Sequence, residues 1–79
     1  MKARVFVRLK SEVLDPQGQA IESALKNLNE NNIKNIRQGK LIEMDIEAKN
    51  VQEAMKSIED ITVKLLANTV IEDYKIEIE

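Results

Sequence analysis

The chain has no cysteine and no histidine, and among its 79 residues are only two glycines and one proline. Without cysteine, disulfides and thiolate metal sites are excluded. Without histidine, the chain lacks the usual general base at neutral pH and the commonest metal ligand. Its two glycines, Gly18 and Gly39, stand apart, so the sequence contains no glycine-rich phosphate loop. We therefore expect no catalytic residues, no metal site and no cofactor bound by this chain.

An excess of one charge is also absent. Charged residues make up 33% of the chain, yet the net charge is only −2, which argues against nucleic acid and membrane surfaces as partners. No stretch reaches the roughly 20 apolar residues that span a bilayer, so we expect a cytoplasmic protein. Residues 1–79 are enough for one domain with a thin core, so we expect self-association to supply further stability.

The hydrophobic pattern predicts four strands and two helices in the order β-α-β-β-α-β. Alternating residues predict strands at 3–9, 41–48 and a last one ending at Ile78, and a weaker pattern predicts one at 33–37. A helix over 16–29 is expected to begin after the N-cap Asp15 and to end at a left-handed asparagine. Asn50 is the expected N-cap of the second helix. The apolar stripe of that helix is Val51, Ala54, Met55, Ile58, Ile61, Thr62 and Leu65.

This order predicts an α+β fold with a ferredoxin-like antiparallel sheet, in which strands lie in the order 4-1-3-2 and both helices cover one face. In that arrangement Gln38-Gly39-Lys40 is a hairpin connection, with Gly39 at positive φ. The charges agree, because basic residues of the first strand meet acidic residues of both neighbours. On the uncovered face, Phe6 and Leu41 lie among charges, which predicts sheet-to-sheet dimerisation. The alternative is that both are ordinary scattered hydrophobic residues.

Few residues suggest chemistry. Glu43, Asp45 and Glu47 have the spacing of a solvent-exposed strand face rather than of a metal or acid–base cluster. Sheets of this kind that bind RNA stack bases on aromatic residues, and here only Phe6 faces outward. Gly18 lowers helix propensity in the first turn, where it would allow another backbone or a partner to approach closely.

Three motifs carry a resemblance to a known family. They are Val13-Leu14-Asp15-Pro16-Gln17-Gly18, then Arg37-Gln38-Gly39-Lys40, then Leu65-Leu66-Ala67-Asn68 followed by Val70-Ile71-Glu72-Asp73-Tyr74. In this order and spacing the chain resembles PurS, the small subunit of phosphoribosylformylglycinamidine synthase, over essentially its whole length. Thr69 departs from the pattern, since the family usually has proline there, and this would loosen the turn into the last strand.

The resemblance implies a non-catalytic subunit of a glutamine-dependent, ATP-consuming ligase in the fourth step of de novo purine synthesis. Its implied partners are a glutaminase subunit, a large synthetase subunit that uses ATP and Mg, and further copies of itself as a homodimer or dimer of dimers. Its implied role is to bridge those subunits and to help ammonia pass between them. The motif positions expected at partner contacts are Asp15, Gln17, Gly18, Arg37, Lys40, Asn68, Glu72 and Tyr74.

Other interpretations stay open at this point. Asp15 could act only as a helix cap and Asn68 only as a helix terminator. A regulatory module of the ACT type shares the β-α-β-β-α-β order and would bind an amino acid at a dimer interface. A nucleic-acid binder is the third class, which the charge balance and the scarcity of aromatic residues disfavour.

Overall fold

The computed structural model describes residues 1–79 and contains three strands and two α-helices. The elements are β1 (Lys2–Leu9), α1 (Pro16–Asn27), β2 (Gly39–Asp45), α2 (Val51–Ile61), a π-helical turn (Thr62–Leu66) and β3 (Glu72–Ile78). The α+β class is confirmed. None of the helices has the length and apolar character needed to cross a membrane.

The sheet is antiparallel, with strand order β2-β1-β3. β1 is the central strand, and its inward residues Ala3, Val5 and Val7 are all buried. The expected charge pairing is present: Arg4 Nε lies 3.4 Å from Glu43 Oε2, and Arg4 Nη1 lies 2.6 Å from Glu79 Oε1. The order predicted for three of the four strands is therefore confirmed.

The strand predicted at 33–37 does not form. Asn35 has φ 58°, in the left-handed region, which is incompatible with a continuous extended strand. The segment instead runs beside the first turns of α1, and β2 is left as an edge strand. Its weak apolar pattern could not distinguish an extended loop from a strand.

Gly39 is not in a hairpin turn, and neither glycine has positive φ. It begins β2 opposite Arg8, where a Cβ atom would lie 2.5 Å from the Val7 carbonyl oxygen. Glycine is needed here for close approach of two backbones, a requirement that the local sequence does not reveal.

α1 begins and ends where its caps indicate but does not cover the sheet. Asp15 is the N-cap, and the helix ends at Asn27, two residues before Asn29, which has the expected left-handed conformation with φ 62°. Gly18 is the only buried residue of α1. The prediction of two helices on one face is therefore corrected: α2 covers the sheet, and α1 extends away from it.

α2 supplies the helical half of the core through Ala54 and Ile58. Its capping was predicted correctly, since the Glu53 N–H donates to Asn50 Oδ1 at 2.8 Å. After Ile61 the helix widens into the π-helical turn, closed by the Ala67 N–H bonding to the Thr62 carbonyl at 2.9 Å. The Thr62 hydroxyl donates to the Ile58 carbonyl at 2.7 Å, a bond that loosens regular helices.

The π-helical turn changes the position of Leu65, the last residue of the predicted apolar stripe. A regular helix would place Leu65 beside Ile58 and Thr62, but the wider turn leaves Leu65 81% exposed. Leu66 packs on the core in its place, followed by the buried Ala67. The extra residue per turn shifts every later side chain around the axis, and a 3.6-residue period does not anticipate that.

Candidate partner-contact site

The side chain of Asp15 joins two segments that are far apart in the sequence. Oδ1 accepts a hydrogen bond from the Gly18 N–H at 2.9 Å, which is the N-cap bond of α1. Oδ2 accepts one from the Gln38 N–H at 2.7 Å, 23 residues along the chain. These two donors, helped by the nearby Arg37, lower the pKa of the buried Asp15 carboxyl.

Two further contacts hold residues 36–38 against α1. Glu22 Oε1 accepts a hydrogen bond from the Ile36 N–H at 2.7 Å. At Gly18 the Ile36 carbonyl oxygen lies so close to the helix that any Cβ would overlap it. Glycine at position 18 therefore serves close approach to a backbone of the same chain, which is one of the two functions expected for it.

Arg37 binds the loop between β1 and α1. Its Nη2 donates to the carbonyl oxygens of Leu9, Lys10 and Val13 at 3.3, 2.8 and 2.9 Å. A guanidinium suits this position because it presents several donors in a fixed plane. We call Asp15, Gly18, Glu22 and residues 36–38 the arm clasp, since together they fix the direction in which α1 leaves the sheet.

Asn68 and Glu72 form a separate turn before β3. The Asn68 N–H donates to Glu72 Oε1 at 2.7 Å, and the Glu72 N–H donates to the Asn68 carbonyl, also at 2.7 Å. Asn68 Oδ1 accepts from the Val70 N–H at 3.1 Å. The Thr69 N–H makes no hydrogen bond within the chain, so the usual proline would lose none here. Asn68 and Glu72 hold this turn through the hydrogen bonds that they make.

The arm clasp and the turn at Asn68 and Glu72 lie side by side at the end of the sheet where β1 ends and β2 begins. The Lys10 N–H donates to the Ile71 carbonyl at 2.9 Å and links the two loops. A shallow groove of about 400 Å³ runs between them. The predicted residues that line it are Asp15, Gln17, Lys40 and Glu72.

The adjoining groove continues onto the outer face of the sheet. It has a volume of about 620 Å³, and Arg37, Lys40 and Tyr74 border it. Phe6 and Leu41 also border it; they are cross-strand partners, 39% and 48% exposed. Six of the eight expected positions thus line these two grooves, which share Lys40. Asn68 lines neither groove, Gly18 is buried against Ile36, and Tyr74 also packs against the core.

Sequence reasoning missed three members of the arm clasp: Glu22, Ile36 and Gln38. Glu22 belongs to none of the three motifs, and the other two contribute backbone groups that no side-chain motif reveals. What the arrangement achieves is structural: carboxylates and a guanidinium satisfy backbone groups and position loops. The carboxylates of β2 do not converge with others into a group that could hold a metal ion.

The arm clasp and the Arg4–Glu79 pair predict loss of stability in acid. The Gly18 and Gln38 donors lower the pKa of Asp15, and the Arg4 hydrogen bond lowers that of Glu79. The unfolded chain therefore binds protons first, so stability is full above the ordinary carboxyl range and falls as pH drops below about 5. We expect unfolding midpoints in urea to be level from pH 7 to about 5 and to decrease below that.

Asp15→Asn tests the share of the clasp in this effect. The amide would place its NH2 against one of two N–H donors, so we expect Tm to drop by about 5 °C and the acid dependence to become shallower. Glu30→Gln removes the same charge from an exposed position with no bonded partner and should change neither. Equal Tm values for the two variants would show that the Asp15 bonds contribute nothing net.

Comparison with known proteins points to one family. The family model described as PurS, phosphoribosylformylglycinamidine (FGAM) synthase, matches residues 2–79. The chain is 45% identical to the phosphoribosylformylglycinamidine synthase subunit PurS of Bacillus subtilis over 78 residues, 99% of this chain and 92% of that protein. It is 41% identical to the corresponding subunit of Methanocaldococcus jannaschii, over 99% of this chain and 94% of that protein.

Solved structures agree. The crystal structure of Bacillus subtilis PurS superposes with a TM-score of 0.88 at 45% identity, covering 99% of this chain and 96% of that chain. A chain in the structure of PurLQS from Thermotoga maritima gives a TM-score of 0.88 at 33% identity, covering 96% of this chain and 93% of that one. The similarity covers α1, the sheet, the arm clasp and the turn at Asn68 and Glu72.

Proposed function

The chain belongs to the PurS family, the small subunits of FGAM synthase, and we propose that it bridges the glutaminase and synthetase subunits of that ligase and assists ammonia transfer between them. It is therefore an accessory subunit of an enzyme. ATP and Mg are used by the synthetase partner in this proposal, and a cytoplasmic location goes with the role.

The proposal rests on one observation: several motif residues lie together at one end of the sheet. Asp15, Gln17, Lys40 and Glu72 line one groove, yet none of them is arranged as a nucleophile with a base. The carboxylates of Asp15 and Glu72 accept hydrogen bonds from backbone N–H groups and hold loops in place. Gln17 and Lys40 are exposed and make no side-chain bonds within the chain, so they are available to a partner.

Reconstitution tests the bridging role. The synthetase and glutaminase subunits from the same source are assayed for glutamine-dependent ADP formation with and without this chain. We expect glutamine-driven turnover to need the chain and high ammonia to bypass it, because ammonia supplied from solution needs no transfer between subunits. Unchanged glutamine-driven turnover with competent partners would refute the proposal.

A variant of this assay tests the proposed surface. Lys40→Glu reverses a charge at the groove without touching a bond of the fold, and Lys34→Glu makes the same reversal outside the motifs. We expect only the first to raise the concentration of chain needed for half-maximal glutamine-driven turnover. If both variants behave alike, the groove does not contact a partner.

We also propose that the chain associates with copies of itself through the outer face of the sheet, as a homodimer or within a dimer of dimers. Phe6 and Leu41 form an exposed apolar pair there, surrounded by charges such as Arg4 and Lys75. An apolar centre with a charged rim is typical of an interface.

Phe6→Glu places a charge at the centre of this face. We expect sedimentation to show a smaller assembly, because burying the new carboxylate against apolar atoms is unfavourable. Lys75→Gln, at the rim, should leave the mass unchanged. An unchanged mass for Phe6→Glu would rule this surface out.

A further inference from the structure

The charges on the outer face of the sheet are unevenly distributed. Near the start of β1, Arg4 lies 3.4 Å from Glu43 and 2.6 Å from Glu79, so acidic and basic groups neutralise one another there. At the opposite end, the groove of about 620 Å³ is lined by four basic residues and a single acidic one. We call it the basic groove, and its basic residues are Arg8, Arg37, Lys40 and Lys75. A chain with a net charge of −2 thus has a concave surface of the opposite sign.

Two of the four basic residues are partly neutralised by carboxylates of the same chain. Lys75 Nζ lies 3.2 Å from Glu77 Oε2. Arg37 lies close enough to the Asp15 carboxylate to interact with its charge, and its guanidinium also donates to three carbonyl oxygens of the neighbouring loop. These contacts fix Lys75 and Arg37 within the fold.

The other two, Arg8 and Lys40, form no salt bridge within the chain. Asp73 is the cross-strand neighbour of Arg8 on β3, yet the two side chains do not pair. The neighbour of Arg8 on β2 is Gly39, which has no side chain that could neutralise it. Both Arg8 and Lys40 are exposed, so two positive charges at this border of the groove are available to another molecule.

The backbone of β2 adds hydrogen-bond donors at the same border. Met1 and Ile46 exchange both of their backbone hydrogen bonds, at 3.0 and 2.8 Å. Bonded and non-bonded pairs alternate along an antiparallel ladder, so Gly39 and Leu41, at odd spacing from Ile46, turn their N–H groups toward the free edge of the sheet. Free N–H donors beside unpaired cations are the groups that bind carboxylates and phosphates.

We propose that the basic groove receives an acidic segment of a partner subunit, whose carboxylates pair with Arg8 and Lys40. This inference rests on the proposed bridging function and adds the chemistry that the partner presents to this surface. A protein segment is favoured over a small anion because both cations are exposed at the border of an open groove. Charges in such positions steer a protein partner and fix its orientation, whereas small ligands are enclosed by the site that binds them.

Carbodiimide coupling tests the pairing in the reconstituted complex. The reagent joins a lysine amine directly to a carboxylate in contact with it, and mass spectrometry identifies both residues. We expect Lys40 to be joined to an Asp or Glu of the synthetase or glutaminase subunit. Lys34, which is exposed outside the groove, should give no such product. Lys40→Arg keeps the charge but removes the primary amine, so it should abolish the product.

Two coupling results would overturn the proposal. Lys40 joined only to carboxylates of this chain or of another copy would mean that a different surface occupies the groove. Absence of any Lys40 product from an assembled complex would mean that no carboxylate lies beside it. Neither result would refute the bridging function, because the need for the chain in glutamine-driven turnover is measured separately on the same sample.

Ionic strength provides the second measurement. Raising NaCl from about 50 to about 300 mM should increase roughly tenfold the concentration of chain needed for half-maximal glutamine-driven turnover, because salt screens exposed charges. Ammonia-driven turnover of the same samples corrects for effects of salt on the chemistry. A chain with Arg8→Gln and Lys40→Gln should bind more weakly at low salt and respond less to added salt.

The matched control carries Lys34→Gln and Lys56→Gln, which remove the same charge from exposed positions outside the groove. It should keep the salt response of the natural chain. An equal salt response of the two double variants would refute the pairing, even where both chains still support glutamine-driven turnover.

Inorganic phosphate and adenosine monophosphate distinguish a small anionic ligand from a protein segment. Each is titrated into the chain while the backbone amide signals of Gly39 and Leu41 are followed by nuclear magnetic resonance. We expect no saturable shift with either compound. Saturation in the micromolar range would identify a site for small phosphates and would overturn the proposal of an acidic segment.

Discussion

Gly18→Ala is expected to destabilise the protein by about 2 kcal/mol, which lowers Tm by roughly 10 °C. The sign of this change is informative, because replacing glycine by alanine inside a helix normally stabilises a protein by about 0.5–1 kcal/mol. Here the new Cβ would overlap the carbonyl oxygen of Ile36, which belongs to backbone and cannot rotate away. Residues 36–38 must therefore shift, which strains the hydrogen bonds between Asp15 and Gln38 and between Glu22 and Ile36.

Thermal unfolding of Gly18→Ala beside Ser23→Ala measures this effect. Ser23 is on the exposed surface of the same helix, so its replacement by alanine should be neutral or slightly stabilising. We also expect Gly18→Ala to weaken glutamine-driven turnover in the reconstituted enzyme, since α1 would leave the sheet in another direction. A rise in Tm like that of an ordinary helical glycine would show that the contact with Ile36 is not tight.

Ile58→Ala is expected to cost about 3 kcal/mol. Ile58 is fully buried and packs against the inward residues of β1, in a core that contains only six buried apolar residues. Domains of this size have a total stability of about 5–10 kcal/mol, so one such cavity removes a large share of it. We expect Tm to fall by about 15 °C.

Leu65→Ala is the matched control for Ile58→Ala. Helical spacing places Leu65 on the same stripe as Ile58, but the π-helical turn leaves it exposed, so its removal should cost less than about 0.5 kcal/mol. Leu66→Ala, one residue later, should be clearly more damaging because Leu66 packs on the core. Equal costs for Leu65→Ala and Ile58→Ala would mean that the helix keeps a regular period through residue 66.

Much of the fold was predictable because it depends on neighbours in the sequence. Alternation indicated β1, β2 and β3, and the capping residues Asp15 and Asn50 marked both helix starts. The left-handed Asn29 followed from the tolerance of asparagine for that conformation. The charges of Arg4 and its acidic neighbours indicated the central position of β1.

The errors arise where a short pattern was ambiguous or a backbone contact intervened. Residues 33–37 have apolar positions that suit a strand, but Asn35 turns the backbone, and the segment binds α1 through its main-chain groups. Gly39 was expected in a turn because glycine tolerates positive φ, whereas it is needed for its lack of a Cβ. No local pattern distinguishes these two uses of glycine.

The sequence by itself determined the periodicity of each element, its caps, the apolar side of each helix and membership of the PurS family. These are properties of residues close together in the chain. Only the tertiary structure decided which surface each apolar side meets. The contacts of Asp15 with Gln38 and of Glu22 with Ile36 span 23 and 14 residues and involve backbone N–H groups. The spacing of side chains in the sequence therefore does not predict them. They turn α1 away from its own sheet and leave its stripe exposed.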